Sequence, residues 1–272
     1  MFETQELASL ARVPQRAGLH CMHPTDPHFS LWLGASGKAL GLLSRKQCLS
    51  SKARTLCLLR SSVRWLALLA MAFALSFAAT DFDRMQSLAQ QQYGPKALET
   101  VLAWRKLIEE SAALPDSDKL NKVNTFFNRR ILYKTDMDLY RQEDFWATPL
   151  EFMGHGAGDC EDFVIAKYMT LRILGVPNER LRLIYVRYQS GATTPIAHMV
   201  LGYYAQPSEE PVILDNMLSS IRSGSMRPDL SPVYSFNSDG LWVGGATTSS
   251  ADPTTRLSRW RDVLDRLHRD GL

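Results

Sequence analysis

Cysteine is scarce in this chain: 272 residues hold four, and Cys21, Cys48 and Cys57 all precede residue 80. Only Cys160 follows, which excludes a disulfide framework and a thiolate-rich metal site for residues 80–272. A basic surplus is missing from the same region. The net charge is +3, but residues 1–79 carry 9 Lys+Arg against 3 Asp+Glu, leaving 22 against 25 for residues 80–272. That net of −3 gives no electrostatic footprint for nucleic acid. A P-loop is lacking, since Gly154, Gly156 and Gly158 come without its lysine or spacing, and no D-x-D-x-D-G loop marks an EF-hand. Internal repeats and low-complexity tracts are absent too.

No apolar run reaches the roughly 20 residues of a membrane span. The nearest is WLALLAMAFALSFAA, Trp65 to Ala79, fifteen residues with one serine and no charge. Lys52, Arg54, Arg60 and Arg64 precede it, Ala78 and Ala79 close it, and polar TDFDR follows. A positive stretch, an apolar stretch and a small-residue end read as a secretory signal over residues 51–79. A buried core helix and an uncleaved anchor are the alternatives. Some fifty residues before the basic stretch are unusual for a signal, so translation is expected to start nearer Ser50–Val63, with residues 1–50 a doubtful leader. The working domain is then residues 80–272, and its one thiol belongs to an exported protein.

Helical patterns come first in that domain. DFDRMQSLAQQQYG and PKALETVLAWRKLIEESAAL place Leu98, Val101, Leu102 and Leu107 at helical spacing, with Pro95 suited to a first turn. PDSDKLNKVNTFFNRRILY repeats the pattern with Leu120, Val123, Phe126 and Phe127, and Asp116 or Ser117 as cap. A polar connection then leads to GHGAGDCEDFVIAKY, where a buried helix begins and runs to Gly175-Val176-Pro177. LRLIYVRYQ, AHMVLGYYA, EPVILDNML and LWVGG are strands, and TTRLSRWRDVLDRLHRDG is a closing amphipathic helix. Helices followed by hairpin-linked strands predict an α+β fold with an antiparallel sheet.

A catalytic thiol needs a base, and the base needs a group to orient it. Three histidines follow residue 80: His155 in the glycine-rich approach, His268 on the polar face of the last helix, and His198 opening a strand. Asp215 ends the next strand, so pairing through a turn at 206–210 brings it toward His198. Cys160 at a helix start gains from the amide dipoles there, which favour thiolate. Nucleophile Cys160, base His198 and orienting acid Asp215 can therefore converge. Separately they also read as a core thiol, a strand-end histidine and a turn aspartate. The backbone amide of Cys160 is a candidate oxyanion donor. Trp146 either lines a pocket or fills core, core being favoured.

GDCEDFVIAKYMTLRILGV, then HMVL, then ILDNM, resembles the bacterial transglutaminase-like cysteine proteases over roughly residues 81–250. The resemblance implies a papain-like or transglutaminase-like core, with the catalytic cysteine at a helix N-terminus packed on an antiparallel sheet. It implies the triad Cys160, His198 and Asp215, and calcium dependence with Asp159 and Glu161 as acidic ligands. It further implies a periplasmic endopeptidase that cuts the N-terminal region of a large repeat-containing adhesin at an Ala-Ala site, controlling biofilm attachment. The implied partner is an inner-membrane cyclic-di-GMP receptor (LapD-like) that holds the enzyme inactive.

The acidic neighbours of Cys160 fit that implication physically. One carboxylate about 7 Å from the sulfur opposes thiolate by roughly 2 kcal/mol at an effective dielectric near 20. Two or three would silence the thiol near neutral pH unless a cation offset them. Hard oxygen donors suit calcium better than zinc. Asp162 is either a third ligand or a helix-start carboxylate favoured by the dipole. Two other readings remain open on sequence: acyl transfer or peptidoglycan-peptide hydrolysis by the same triad, and a receptor-binding module in which Cys160 is inert.

Overall fold

A computed structural model describes residues 80–272 except 193, 245 and 247; the leader and signal read from residues 1–79 lie outside the described residues. Asp81 caps helix α1 (Phe82–Leu88) by accepting the Arg84 N–H at 2.9 Å. A π-helical turn at Ala89–Tyr93 ends at Gly94, whose φ of +86° is open only to glycine at low strain. Pro95 then begins α2 (Pro95–Ser111). Its buried stripe is Ala97, Val101, Trp104 and Ile108, one step round the helix from the face the sequence suggested, and Leu102 is exposed. Trp104 decides the register: its indole N–H donates to Thr170 Oγ1 at 2.8 Å, locking α2 to the central helix.

Helix α3 (Asp116–Arg130) buries Leu120, Val123 and Phe127 as its spacing predicts. Neither Asp116 nor Ser117 caps it: the N-cap is Pro115, with Asp116 already inside the first turn. The connection that read as polar loop contains short helices α4 (Asp136–Tyr140) and α5 (Pro149–His155). It also places a two-residue strand, β1 (Leu132–Tyr133), parallel to β2 (Ala157–Gly158). Thr148 and Glu151 form a capping box over α5, a local signal that apolar periodicity does not show.

The central helix α6 (Cys160–Ile173) is buried almost all round, including Phe163, Val164, Ile165, Ala166, Tyr168 and Leu171. Each such Leu, Ile or Phe contributes about 1.5–3 kcal/mol, which fixes the helix, and so its first turn, firmly in place. It packs on a fully antiparallel sheet of order β6-β5-β4-β3-β7-β8. The strands are β3 (Leu181–Tyr188), β4 (Ile196–Tyr203), β5 (Val212–Leu214), β6 (Arg222–Ser223), β7 (Leu230–Phe236) and β8 (Leu241–Val243). The sequence pattern missed β7, which holds a central place beside β3. Pro232 and a register shift between Tyr185 and Val186 interrupt its alternation. Helix α7 (Pro253–Arg256) and helix α8 (Ser258–Asp270) close the chain, α8 burying Trp260, Val263 and Leu267. Arg266 ties α8 back to Glu151 and to the Trp146 carbonyl. Trp146 is core, stacked on Phe236 with centroids 5.7 Å apart. No helix among the described residues is long and apolar enough to cross a membrane.

Asp162 joins the start of α6 to the rest. Fully buried, it accepts the Ala147 N–H at 2.7 Å and the Asp159 N–H at 3.3 Å. Asp162→Ala leaves two backbone donors without acceptors and should cost about 2–4 kcal/mol. Asp162→Asn keeps one acceptor oxygen and should lose less. Thermal unfolding of the three proteins checks the order; equal midpoints would remove Asp162 from this role.

Candidate active site

Three local devices place Cys160. Gly156 takes a left-handed φ of +62° to end α5, and the chain then runs beside β1, with the Lys134 N–H bonded to the Gly158 carbonyl at 2.9 Å. A Cβ on Gly158 would collide with Asp162 and Phe152, so glycine is needed for the close approach. Asp159 and Asp162 then form a reciprocal capping box, and Cys160 becomes the first residue of α6. The sulfur meets the backbone N–H of Met199 on β4, the residue after His198. Its hydrogen bond goes to Glu161 Oε2 at 3.0 Å. Burial, then the charges of Glu161 and Asp159, push the thiol pKa well up.

Strands β4 and β5 pair with Leu201 opposite Leu214, the hairpin expected from the sequence. That register brings His198 to Asp215 itself: Nε2 lies 2.9 Å from Oδ1, both side chains buried. With Nε2 committed to the carboxylate, Nδ1 is the nitrogen left for a thiol proton. Asp215 Oδ1 also accepts the Met217 N–H at 3.0 Å, and Oδ2 accepts Arg227 Nη2 at 2.8 Å. Burial alone would raise the Asp215 pKa, but the His198 and Arg227 bonds hold it at about 2. Arg227 is itself buried and bonded to Asp229 through Nε at 3.0 Å and Nη2 at 2.8 Å. Sequence reasoning missed Arg227, which sits in a loop without strand or helix periodicity. Its only local signal is the Arg-Pro-Asp run at 227–229.

Oxygen atoms of Asp136, Asp159 and Glu161 lie within 4.8 Å of one another. Asp136 was not among the acidic residues singled out, because it lies 24 positions before the cysteine, in the supposed loop. Asp162 falls outside this group, its two oxygens engaged with backbone amides. Burial raises the Asp136 pKa to about 6. Burial, then the charge of Glu161 on Asp159 and of Asp162 on Glu161, push both carboxyls well above the usual carboxylate range. Asp136 Oδ1 and Asp159 Oδ1 are buried without a hydrogen-bond partner. Crowded, unpartnered carboxylate oxygens without soft donors fit a hard divalent cation.

The other two histidines among the described residues stand apart from this chemistry. His155 packs edge-on against Tyr93 and Tyr140, each centroid 5.2 Å away, and His268 is exposed on α8. Tyr133 on β1 and Tyr185 on β3 lie within electrostatic reach of the thiol. A thiol at a helix N-terminus, beside a strand carrying a carboxylate-held imidazole, can attack a carbonyl and form an acyl-thioester.

The family model of the bacterial transglutaminase-like cysteine proteinases matches residues 105–228. No curated protein matches the chain. Among solved structures, EGTA-treated LapG of Legionella pneumophila is 41% identical with a TM-score of 0.61, covering 68% of this chain and 97% of that one. The calcium-bound LapG of the same organism is 41% identical with a TM-score of 0.58, covering 68% and 98%.

The raised carboxyl pKa values make a prediction about stability. The fold holds protons on Asp136, Asp159 and Glu161 that the unfolded chain releases above about pH 4. Forcing them to ionise therefore destabilises the metal-free fold progressively from about pH 5 upward. Asp136→Asn removes one of these charges. In a chelator, its melting temperature relative to the parent should rise between pH 5 and pH 8; a difference that stays flat or falls would contradict the assignment.

Proposed function

Because this chain belongs to the bacterial transglutaminase-like cysteine proteinases, we propose that it is a calcium-dependent endopeptidase of the periplasm using Cys160, His198 and Asp215. The substrate is the N-terminal region of a large repeat-containing surface adhesin, whose cleavage controls biofilm attachment. A cyclic-di-GMP receptor in the inner membrane restrains it, and residues 51–79 export it. The observation that carries the reading is the buried His198 Nε2–Asp215 Oδ1 pair, 2.9 Å long, on the strand that also meets the Cys160 sulfur.

His198 Nδ1 takes the thiol proton while Asp215 holds Nε2–H and stabilises the imidazolium. The sulfur adds to the scissile carbonyl, and the Cys160 backbone amide, at the open start of α6, donates to the developing oxyanion. His198 then gives its proton to the departing amine, leaving an acyl-thioester that water hydrolyses with the same imidazole as base. Asp136, Asp159 and Glu161 would hold the calcium ion, which supplies positive charge beside the thiol. Arg227 keeps Asp215 ionised and aimed at the ring.

The test uses the purified protein and an adhesin N-terminal segment. Cys160→Ala and His198→Ala should be inactive, whereas Asp215→Asn should retain a residue of activity, down about 10²–10⁴-fold. EGTA should stop cleavage and calcium restore it. Cleavage by Cys160→Ala, full activity in excess chelator, or incorporation of a labelled amine in place of cleavage would overturn the reading.

A further inference from the structure

The sheet has a second face. Leu183, Leu201 and Phe236 are matched across β4, β3 and β7, and Phe236 lies against Trp260, which in turn meets Tyr168 of α6. Ile184, Val186, Val200 and Ile213 fall one residue out of step with that row, so they turn away from α6. They form a buried apolar cluster on which Leu230 packs. These five side chains line a cavity of about 390 Å³, inside the roughly 300–1,000 Å³ of small-molecule sites.

Arg182 lines the same cavity. It is 7% exposed, and its Nε is buried without a hydrogen-bond partner. Its guanidinium lies over the Trp242 ring at 4.1 Å and the Tyr204 ring at 4.7 Å. Arg105, Arg180, Arg227, Arg259 and Arg266 form ion pairs among the described residues; Arg182 forms none. Burial raises the pKa of Tyr204, so its hydroxyl brings no negative charge. Aromatic faces offset part of the cost of burying a cation, but they leave its in-plane N–H edge for a planar anion. Arg227 also borders the cavity, with its own guanidinium committed to Asp215 and Asp229. Glu209 and Glu210 stand on an exposed turn at the lining, where Glu210 accepts the Ser225 N–H.

We propose that this cavity binds a linear monocarboxylate of medium chain length, its carboxylate paired with Arg182 and its alkyl chain laid on the apolar cluster. A carboxylate takes two parallel N–H bonds from a guanidinium, and the alkyl chain covers the surface that the sheet turns away from α6. A phosphate monoester would bring a second negative charge toward Glu209 and Glu210, and an uncharged chain would leave Arg182 unpaired. The site uses neither Cys160 nor His198, so it stands independently of the proposed triad.

Decanoate is titrated into the purified protein by calorimetry, in EGTA so that no calcium soap forms, with folding checked by circular dichroism. One saturable site per chain is expected. Decyltrimethylammonium, with the same tail and the opposite charge, should bind about 10-fold more weakly or not at all, and Arg182→Gln should lose about 10-fold in decanoate affinity. A decanoate with a terminal diazirine should label residues that line the cavity, read by peptide mass spectrometry on the parent protein. No saturable binding below the micelle concentration, equal affinity for the two amphiphiles, unchanged affinity in folded Arg182→Gln, or label spread over the surface would each overturn the proposal. If Arg182→Gln does not fold, the comparison of the two amphiphiles and the labelling, both on the parent, decide it.

Discussion

The thiol of Cys160 hydrogen-bonds to the carboxylate of Glu161 at 3.0 Å, and the chemistry of the site turns on that contact. Glu161 is one of three carboxylates whose oxygens crowd within 4.8 Å. Negative charge beside sulfur disfavours thiolate, while the N-terminal amides of α6 favour it. The dipole contributes about 1 kcal/mol, and even a carboxylate about 7 Å away, farther than Glu161, opposes by roughly twice that at an effective dielectric near 20. The carboxylates win. On the proposed reading, the thiol ionises more readily once a cation offsets the acidic cluster beside it.

Rigidity makes that control local. Helix α6 is buried on nearly every side, and the Asp159–Asp162 box fixes its first turn, so charge changes at Asp136, Asp159 and Glu161 act on a sulfur that cannot easily swing away. On the opposite side, Asp215 is held by His198, Met217 and Arg227 and stays ionised down to about pH 2. In the proposed triad the base and its orienting acid are thus held together, whereas the nucleophile depends on the charge beside it.

Much of this was legible in the sequence because the signals are local. GDCED marks a helix start with an acidic thiol, and β4 and β5 lie close enough in sequence for their turn to predict the register that unites His198 with Asp215. What stayed hidden depends on distant contacts. Asp136 reaches the thiol's neighbours only because β1 pairs in parallel with β2, two residues each, too short for any periodicity. Arg227 reports to Asp215 from a loop, and β7 hides behind Pro232 and a register shift. On α2 a tryptophan hydrogen bond to Thr170 overrode the leucine face. Asp162 read from the sequence equally as a third ligand or a helix-start carboxylate, and its oxygens accept the Ala147 and Asp159 N–H groups at the start of α6.

The central claim is that the acidic cluster sets the thiol's ionisation. It is tested by the pH dependence of Cys160 alkylation, with calcium and with chelator, on protein shown to be folded by circular dichroism. The Cys160 peptide is followed by mass spectrometry, so that any other cysteine in the preparation does not contribute. The account predicts a titration displaced to lower pH by about one unit or more when calcium is present. Coincident curves would contradict it, even if calcium proved essential for cleavage.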